Sequence, residues 1–284
     1  MRTKLIGERD WRLETVEIAE IIIEVPRQTS LSQDLTSEED RVEQQQKLLD
    51  SARDIVADLD IGLQTQAIIG RNAGSVILDV IEEENADHVF LGWQGTRSRR
   101  EYILGSTIDP IIGRAPCDAT LVKLGPEDSY GEGDVMILAG KGPHAPVAAR
   151  RAAEFVSAAD DDASLTLLNV QTLETDTDAD LSPTERGGTV VEELAERAGI
   201  EYMSYNAEVK VAEDTEQAII EAAKGYDTVC VGATRSGPIS QAVFESLPEK
   251  VGAEVNQTVV MARGPEESPM SVHQALLQRL VGQA

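Results

Sequence analysis

Short runs of apolar, β-branched residues alternate with amphipathic segments along most of the chain. In the carboxyl-terminal half this pattern predicts strands at Val135–Ala139, Leu165–Val170, Met203–Val211, Thr228–Val231 and Thr258–Ala262. Apolar residues spaced three and four apart predict helices at Val147–Ala158, Thr189–Ala198, Glu216–Ala223 and Ile239–Val251. The Asp- and Thr-rich segment Gln171–Arg186 is predicted to be a mobile excursion. Apolar strands separated by helices are typical of a parallel sheet covered on both faces, so we predict an α/β, doubly wound fold.

The amino-terminal half repeats this pattern. The stretch DHVFLGWQGTRS at Asp87–Ser98 is echoed by DTVCVGATRSGP at Asp227–Pro238, 140 residues later. The predicted strand Ala119–Lys123 likewise corresponds to Gln257–Ala262. A period this long indicates a duplicated domain. We therefore predict two tandem domains, at residues 1–127 and 131–267, and an amphipathic tail at residues 268–284.

The first copy begins late. Its first clear strand, Glu17–Val25, corresponds to the second strand of the other copy, so few residues remain for a strand and a helix before it. Two explanations stay open at this point. Either Met1–Leu13 supplies an abbreviated replacement, or the chain is a piece of a longer one.

Composition narrows the function classes. The chain has 284 residues, 51 of them acidic and 25 basic, with a net charge of −26. An acidic excess spread over the whole chain is typical of a salt-loving organism, because the Debye length falls to about 3 Å in 1 M salt. Duplex nucleic acid is excluded as a partner, since phosphate neutralisation needs a basic face. No apolar run approaches the roughly 20 residues of a membrane span, and we expect a cytoplasmic protein.

Few side chains point to metal or covalent chemistry. Cys117 and Cys230 form no CxxC pair and no Cys/His cluster, so we expect no zinc site and two inert core residues. His88 and His144 have no second histidine spaced to share a metal. The residues offer no catalytic set, and we expect neither a metal centre nor an enzyme.

The stretch LGWQGTRSRREYILGST at Leu91–Thr107 is the strongest candidate site. It places three arginines within four positions, between glycines at 92, 95 and 105. Glycines let a backbone approach a ligand closely and arginines neutralise anions, so the composition indicates a phosphate-binding loop. A solvated turn is the alternative that the composition alone leaves open.

The spacing of that loop identifies a family resemblance. Gly92-x2-Gly95-x9-Gly105-Ser106 matches G-x2-G-x9-G-[ST], the nucleotide loop of the universal stress protein family, and the resemblance extends over nearly the whole chain as two tandem copies. It implies an α/β fold of five strands per copy and a bound ATP or AMP, with Mg²⁺, in a copy that keeps the motif. The first copy is the one that keeps it.

The resemblance also implies roles for particular residues. Amides of Gly95, Gly105 and Ser106 would donate to phosphate oxygens, and the Ser106 and Thr107 hydroxyls would add further donors. The remaining nucleotide-binding residues that the resemblance implies are Gly92 beside the ribose, Gly70 on the ribose side, Ile22 at the adenine, and Arg97 near the phosphates.

The second copy departs from the motif. It keeps Gly232, but Arg235 stands in place of the second glycine and Glu245 in place of the third. A carboxylate where phosphate should lie would repel it, so we expect no cofactor in this copy. Neither copy shows the Asp that family members place at the end of strand one to hold the adenine.

These features predict a non-catalytic stress-response or regulatory protein that binds an adenine nucleotide in its first domain. Family members pair through their last strands, which implies an intrachain pseudo-dimer of Ala119–Lys123 with Thr258–Ala262; a homodimer of whole chains is a further expectation. The runs EVPRQTSLSQ and AGKGPHAPVAARRAA resemble the tandem module that follows the membrane part of some archaeal amino-acid permeases.

Two alternatives remain. The first is a ligand-free cytoplasmic interaction module that packs against a membrane transporter domain. The second is a nicotinamide-dependent enzyme, because Gly140-x-Gly142-x-x-Ala145 fits a relaxed dinucleotide fingerprint. The next predicted strand ends Asn169-Val170-Gln171, without the acid that such a site needs for the ribose, so a tight turn is the favoured interpretation of these glycines.

Overall fold

Two sheets carry the strands of the described part of the chain. The computed structural model describes residues 16–24, 47, 50, 53–54, 62–70, 72–92, 107–125, 133–159, 163–172, 181–233, 251–252 and 254–265. The amino-terminal half contains β1 (Val16–Glu24), β2 (Gly62–Gly70), α1 (Ala73–Glu83), β3 (His88–Gly92), α2 (Ile108–Arg114) and β4 (Asp118–Lys123). The second half contains β5 (Val135–Leu138), α3 (Ala145–Ala158), β6 (Leu165–Gln171), α4 (Pro183–Ala198), β7 (Asn206–Val211), α5 (Thr215–Ala223), β8 (Thr228–Gly232) and β9 (Thr258–Arg263).

Seven strands form one sheet that runs through both halves. Its order is β3-β4-β9-β8-β5-β6-β7, whereas β1 pairs with β2 in a separate two-stranded sheet. All neighbouring pairs are parallel except β4 and β9, which run antiparallel with Ala119 opposite Arg263 and Lys123 opposite Val259. The last strands of the two repeats therefore meet within one chain, as expected.

The sheet is covered on both faces, which confirms the doubly wound α/β class. Adjacent residues of a strand point to opposite faces. In β5, Met136 lies in a cluster with residues of α2 and α5, whereas Ile137 lies in one with residues of α3 and α4. Both side chains are fully buried. The central strand of the second repeat is thus apolar throughout because helices lie on both of its sides.

Local signals in the sequence fix several helix ends. Asn72 and Asp214 occupy equivalent N-cap positions, and their side chains accept backbone N–H bonds of 3.0 Å from Ser75 and 2.9 Å from Gln217. At the other end of α4, Gly199 has a φ of 70°, a left-handed conformation that glycine adopts without strain. The predicted end of this helix at Ala198 is confirmed.

The predicted excursion Gln171–Arg186 is wrong at both ends. Gln171 belongs to β6, and α4 starts at Pro183 rather than at Thr189. The physical reason is a capping box, in which Ser182 accepts the Glu185 N–H while the Glu185 carboxylate accepts the Ser182 N–H at 2.8 Å. Residues 173–180 of this segment lie outside the described residues.

Two other predicted starts need correction. Strand β7 begins at Asn206 rather than at Met203, because Met203 closes a turn in which its N–H donates to the Ile200 carbonyl at 3.0 Å. Helix α3 begins at Ala145 rather than at Val147, with Pro146 in its first turn, where a missing N–H costs nothing. Most of the predicted helix Ile239–Val251 and the whole tail 268–284 lie outside the described residues.

The two repeats correspond strand by strand, with one difference. In chain order and in their parallel pairing, β3 and β4 correspond to β8 and β9, and β1 and β2 correspond to β6 and β7. Within the described ranges, the first repeat has no counterpart of the central strand β5 or of the helix α3 that follows it. The sequence had led us to expect that this strand and helix would be shortened or absent in the first repeat.

Candidate functional site

The carboxyl end of β3 and the start of α2 form the described part of the candidate site. β3 ends at Gly92, which is exposed, and α2 begins at Ile108. Thr107 takes the N-cap position of α2 and is half-buried, and its side chain makes no capping hydrogen bond. The hydroxyl is therefore not committed to its own helix.

Four of the predicted loop residues lie in the segment between β3 and α2. Gly95, Arg97, Gly105 and Ser106 fall in residues 93–106, which lie outside the described part of the chain. The roles that the motif implies for them stay predictions.

No described residue fills the space beside Gly92. A Cβ placed on Gly92 would meet no heavy atom of the described residues within 4 Å, apart from its chain neighbours. In open parallel sheets, ligands bind outside the carboxyl ends of the strands. Gly92, the first glycine of the motif, therefore lies at the edge of the sheet where such ligands bind, and no described residue covers it.

The two predicted residues from the preceding strands lie together, on the other sheet. Ile22 in β1 pairs with Ile68, and Gly70 ends β2 opposite Glu24. No ladder of described residues joins β1 or β2 to β3. The structure thus brings the strands of Ile22 and Gly70 together, on a different sheet from the strand that ends at Gly92.

The equivalent strand end of the second repeat is covered. A Cβ on Gly232 would lie 2.9 Å from the Ala145 amide nitrogen and 2.9 Å from the His144 carbonyl carbon. Both groups belong to the junction that leads into α3. Gly232 is therefore needed for close packing of the following helix against the strand.

The loop after β5 is held by side chains of its own repeat. Arg197 donates to the carbonyls of Lys141 at 3.5 Å and Gly142 at 3.3 Å, and Asn169 donates to the Ala139 carbonyl at 2.8 Å. These bonds give Gly140 and Gly142 the turn that was the favoured interpretation of their spacing.

A buried polar cluster lies at the start of β3 and β4. His88 is 2% exposed, forms a 2.7 Å hydrogen bond between its Nε2 and the Thr120 Oγ1, and stacks on Phe90 with ring centroids 4.1 Å apart. Burial, with the charge of Arg151, lowers the pKa of His88 to about 3. His88 is therefore a neutral, hydrogen-bonded core residue.

Arg151 of α3 is the buried charge that sequence reasoning missed. Its side chain is 3% exposed, and its Nη1 lies 2.5 Å from the Glu154 carboxylate. Burial raises the pKa of Glu154 and also that of Asp118, while Arg150 and Arg151 oppose the rise at Asp118. An Arg pair within the Ala-rich run APVAARRAAEF was the signal that could have marked it.

The seam between the repeats carries two reciprocal contacts. Lys123 at the end of β4 donates to the carbonyls of Gly252, at 2.9 Å, and Val255. Arg263, the equivalent residue at the end of β9, donates to the Ile111 carbonyl of α2 at 3.4 Å. Each last strand thus binds the final helical segment of the opposite repeat.

Neither thiol is poised for reaction. Cys117 and Cys230 are buried, and burial raises the pKa of both, to about 11 at Cys117. The described residues bring no three His, Cys, Asp or Glu side chains together in a cluster fit for a metal ion. None of the described helices combines the length and apolarity that crossing a bilayer requires.

Comparison with known proteins places this geometry in context. Residues 14–123 and 134–263 each match the family model described as "Universal stress protein family". No curated protein sequence matches the chain.

Solved structures share the fold at low identity. A universal stress protein from Archaeoglobus fulgidus DSM 4304 is 16% identical with a TM-score of 0.60, over 89% of this chain and 88% of that one. A putative universal stress protein from Pseudomonas aeruginosa UCBPP-PA14 is 13% identical with a TM-score of 0.51, over 95% and 98%. The cytoplasmic domain of a prokaryotic cation chloride cotransporter is 13% identical with a TM-score of 0.50, over 90% and 97%.

Proposed function

The chain belongs to the universal stress protein family, and on that premise we propose that its first repeat binds an adenine nucleotide at the carboxyl end of β3. The ligand is ATP, with Mg²⁺, or AMP. The protein acts as a non-catalytic cytoplasmic regulator whose nucleotide occupancy is read by a partner protein.

The open space beyond Gly92 carries this proposal. The residue ends a parallel strand, it is the first glycine of the phosphate-loop motif, and a Cβ there would meet nothing within 4 Å among the described residues. Thr107, the residue that follows the motif, has a hydroxyl that makes no capping hydrogen bond to its helix. A ligand at the end of β3 would find room and a donor.

The second repeat supports the proposal by contrast. There the same strand end is filled by the His144–Ala145 backbone, 2.9 Å from a Cβ on Gly232. The sequence adds Glu245 where phosphate would lie. One nucleotide per chain is therefore the expected stoichiometry.

Isothermal titration of ATP and of AMP into the full chain, in molar KCl with Mg²⁺, tests this proposal. We expect one site per chain. Gly105→Glu, which copies the carboxylate of the second repeat, should weaken binding at least about tenfold, because a like charge beside phosphate costs more than about 1.4 kcal/mol in a partly desolvated site. Two sites per chain would contradict the assignment to the first repeat.

Gln217→Glu is the matched control for that variant. It adds the same charge at an exposed position of α5, in the second repeat. Affinity should remain within about twofold, because charges separated by more than a Debye length are screened in salt. No binding by the wild type, or equal losses in both variants, would refute the nucleotide site.

A ligand-free interaction module is the second candidate. The observation that favours it is the fold shared with the cytoplasmic domain of a cation chloride cotransporter over 90% of this chain. In that role the chain would pack against the membrane domain of an amino-acid transporter. A titration without heat for either nucleotide would favour this alternative.

A further inference from the structure

Helix α2 of the first repeat packs into two cores. Ile111, which is fully buried, lies in a cluster with Leu78 of α1, within the first repeat. Ile108 and Ile112 lie in a larger cluster that includes Met261 of β9, in the second repeat. The position of α2 therefore depends on both repeats.

Arg263 holds α2 from the second repeat. This residue ends β9, lies opposite Ala119 across the antiparallel seam, and is 2% exposed. Its Nη1 donates to the Ile111 carbonyl at 3.4 Å, and the same carbonyl accepts the Ala115 N–H at 2.9 Å. Because the guanidinium is buried, salt screens this charged hydrogen bond little.

This hydrogen bond restricts a motion that apolar packing allows. Hydrophobic contacts are non-directional, so they permit a short helix to shift along the surface on which it packs. A hydrogen bond weakens steeply when its donor and acceptor move out of line. Arg263 therefore sets where α2 lies relative to the seam.

α2 follows directly on the phosphate-loop motif. Thr107 comes immediately after Gly105 and Ser106, and it precedes Ile111 by four residues, which is about one helical turn or about 6 Å. A single turn moves as one body. A shift of α2 at the Ile111 carbonyl would therefore also move Thr107.

We propose that Arg263 is a positioning residue of the nucleotide site in the first repeat. It holds α2 so that Thr107 and the loop before it meet the phosphates of the nucleotide. The second repeat, whose own loop departs from the motif, thereby determines the affinity of the first. This inference rests on the proposed function, namely that the first repeat binds an adenine nucleotide.

Lys123 provides a matched control within the same seam. It stands 140 residues before Arg263, at the equivalent position of β4, and it donates to the carbonyls of Gly252, at 2.9 Å, and Val255. The segment that it holds belongs to the second repeat, in which Glu245 replaces the third glycine of the motif. Removing this contact should disturb the seam but not the nucleotide site.

Isothermal titration of ATP with Mg²⁺ into the full chain, in molar KCl, tests the proposal. Arg263→Met should weaken binding about tenfold, because displacement of α2 costs at least one hydrogen bond to a charged phosphate. Lys123→Met should leave the affinity within about twofold of the wild type. Arg263→Lys, which keeps a cationic donor, should restore the affinity to within about threefold.

Amide exchange gives a second measurement that needs no ligand. The Ala115 N–H donates to the carbonyl that Arg263 also binds, so its exchange in the nucleotide-free chain should be at least about threefold faster in Arg263→Met. It should be unchanged in Lys123→Met. If circular dichroism shows that Arg263→Met does not fold, Arg263→Gln takes its place, since its shorter, neutral side chain also lacks the bond to Ile111.

The outcomes separate this inference from the nucleotide site itself. Wild-type binding together with an unchanged affinity in the folded Arg263 variant would overturn the positioning role and leave the nucleotide site intact. Equal losses in the Arg263 and Lys123 variants would also overturn it, because the effect would then be a general weakening of the seam. Absence of binding by the wild type would refute the proposed function, and the positioning role with it.

Discussion

The two repeats share a strand plan but differ at the end of the strand that carries the first motif glycine. In the second repeat Gly232 lies against the backbone that leads into α3, while in the first repeat no described residue outside its chain neighbours lies within 4 Å of a Cβ on Gly92. The same residue type thus serves close packing in one copy and leaves room in the other. A glycine that recurs at the same motif position in both repeats therefore does not by itself identify a ligand site.

The difference has one structural origin. β5 and α3 fill the centre of the second repeat, and the described residues of the first repeat contain no equivalent. Among the described residues, the edge of β3 and the end of that strand at Gly92 therefore lack the neighbours that β5 and α3 provide in the second repeat.

The largest expected effect comes from placing alanine at each of these two glycines. Gly232→Ala should lower the free energy of unfolding by about 3 kcal/mol, because the added methyl meets backbone that cannot move aside. Gly92→Ala should be neutral or stabilise by up to about 1 kcal/mol, because it only reduces the freedom of the unfolded chain. Urea unfolding of both variants in molar salt measures the difference.

The pair is a matched test of the comparison. Neither glycine has a left-handed φ, so alanine can adopt the backbone conformation at both positions. The loss of conformational freedom in the unfolded chain is then the same for the two variants, and only the contacts of the added methyl differ. If the two variants lose equal stability, the space at Gly92 is occupied in solution and the contrast between the repeats fails.

The next effect concerns pH and distinguishes His88 from Thr228, its equivalent. The folded-state pKa of His88 is about 3, below its ordinary value of 6.5. The unfolded chain therefore binds a proton between these values that the folded chain does not, and stability falls as the pH drops through 6.5. Between pH 7 and pH 5 this group should cost the protein about 2 kcal/mol.

His88→Gln should remove that loss, since glutamine can still bond Thr120 but does not titrate. The quantity to compare is the change in unfolding free energy between pH 7 and pH 5 for the two proteins. The raised pKa values of Asp118 and Glu154 favour folding in acid, and both proteins retain them, so they cancel in the difference. An equal pH dependence would show that His88 is not buried as a neutral group.

Much of the fold could be predicted from apolar periodicity. The parallel strands of the second repeat follow from apolar runs separated by helices, whereas the antiparallel seam was expected from the family resemblance. The start of α4 at Pro183 could also have been predicted, because Ser182-Pro183-Thr184-Glu185 has the sequence of a capping box. The predicted start at Thr189 was wrong because the cap, and not the Asp- and Thr-rich composition before it, determines where α4 begins.

The side-chain contacts around the site could not be predicted from apolar periodicity. The sequence motif identifies Gly92 and Gly232 as equivalents, but their difference depends on whether α3 has a counterpart. The His88–Thr120 bond joins residues 32 positions apart on neighbouring strands. Such pairs depend on register, which periodicity does not fix to the residue. The burial of Arg151 likewise follows from how α3 docks.

The smallest expected loss of stability concerns the contact that Lys123 makes across the seam between β4 and β9. Lys123 donates to two carbonyls of the second repeat, and burial lowers its pKa. Lys123→Met should lower the free energy of unfolding by about 1–2 kcal/mol, because it leaves partly buried carbonyls without a donor. The loss should be nearly the same in dilute and in molar KCl, since the acceptors carry no net charge and little of the interaction is screened.

Lys123→Arg, which keeps donors at this position, is the control and should recover most of the stability. A loss that vanishes in high salt would mean that Lys123 stabilises the fold through its charge on the acidic surface. Its hydrogen bonds to Gly252 and Val255 would then contribute little, and Lys123 and Arg263 would be equivalent in sequence position but not in function.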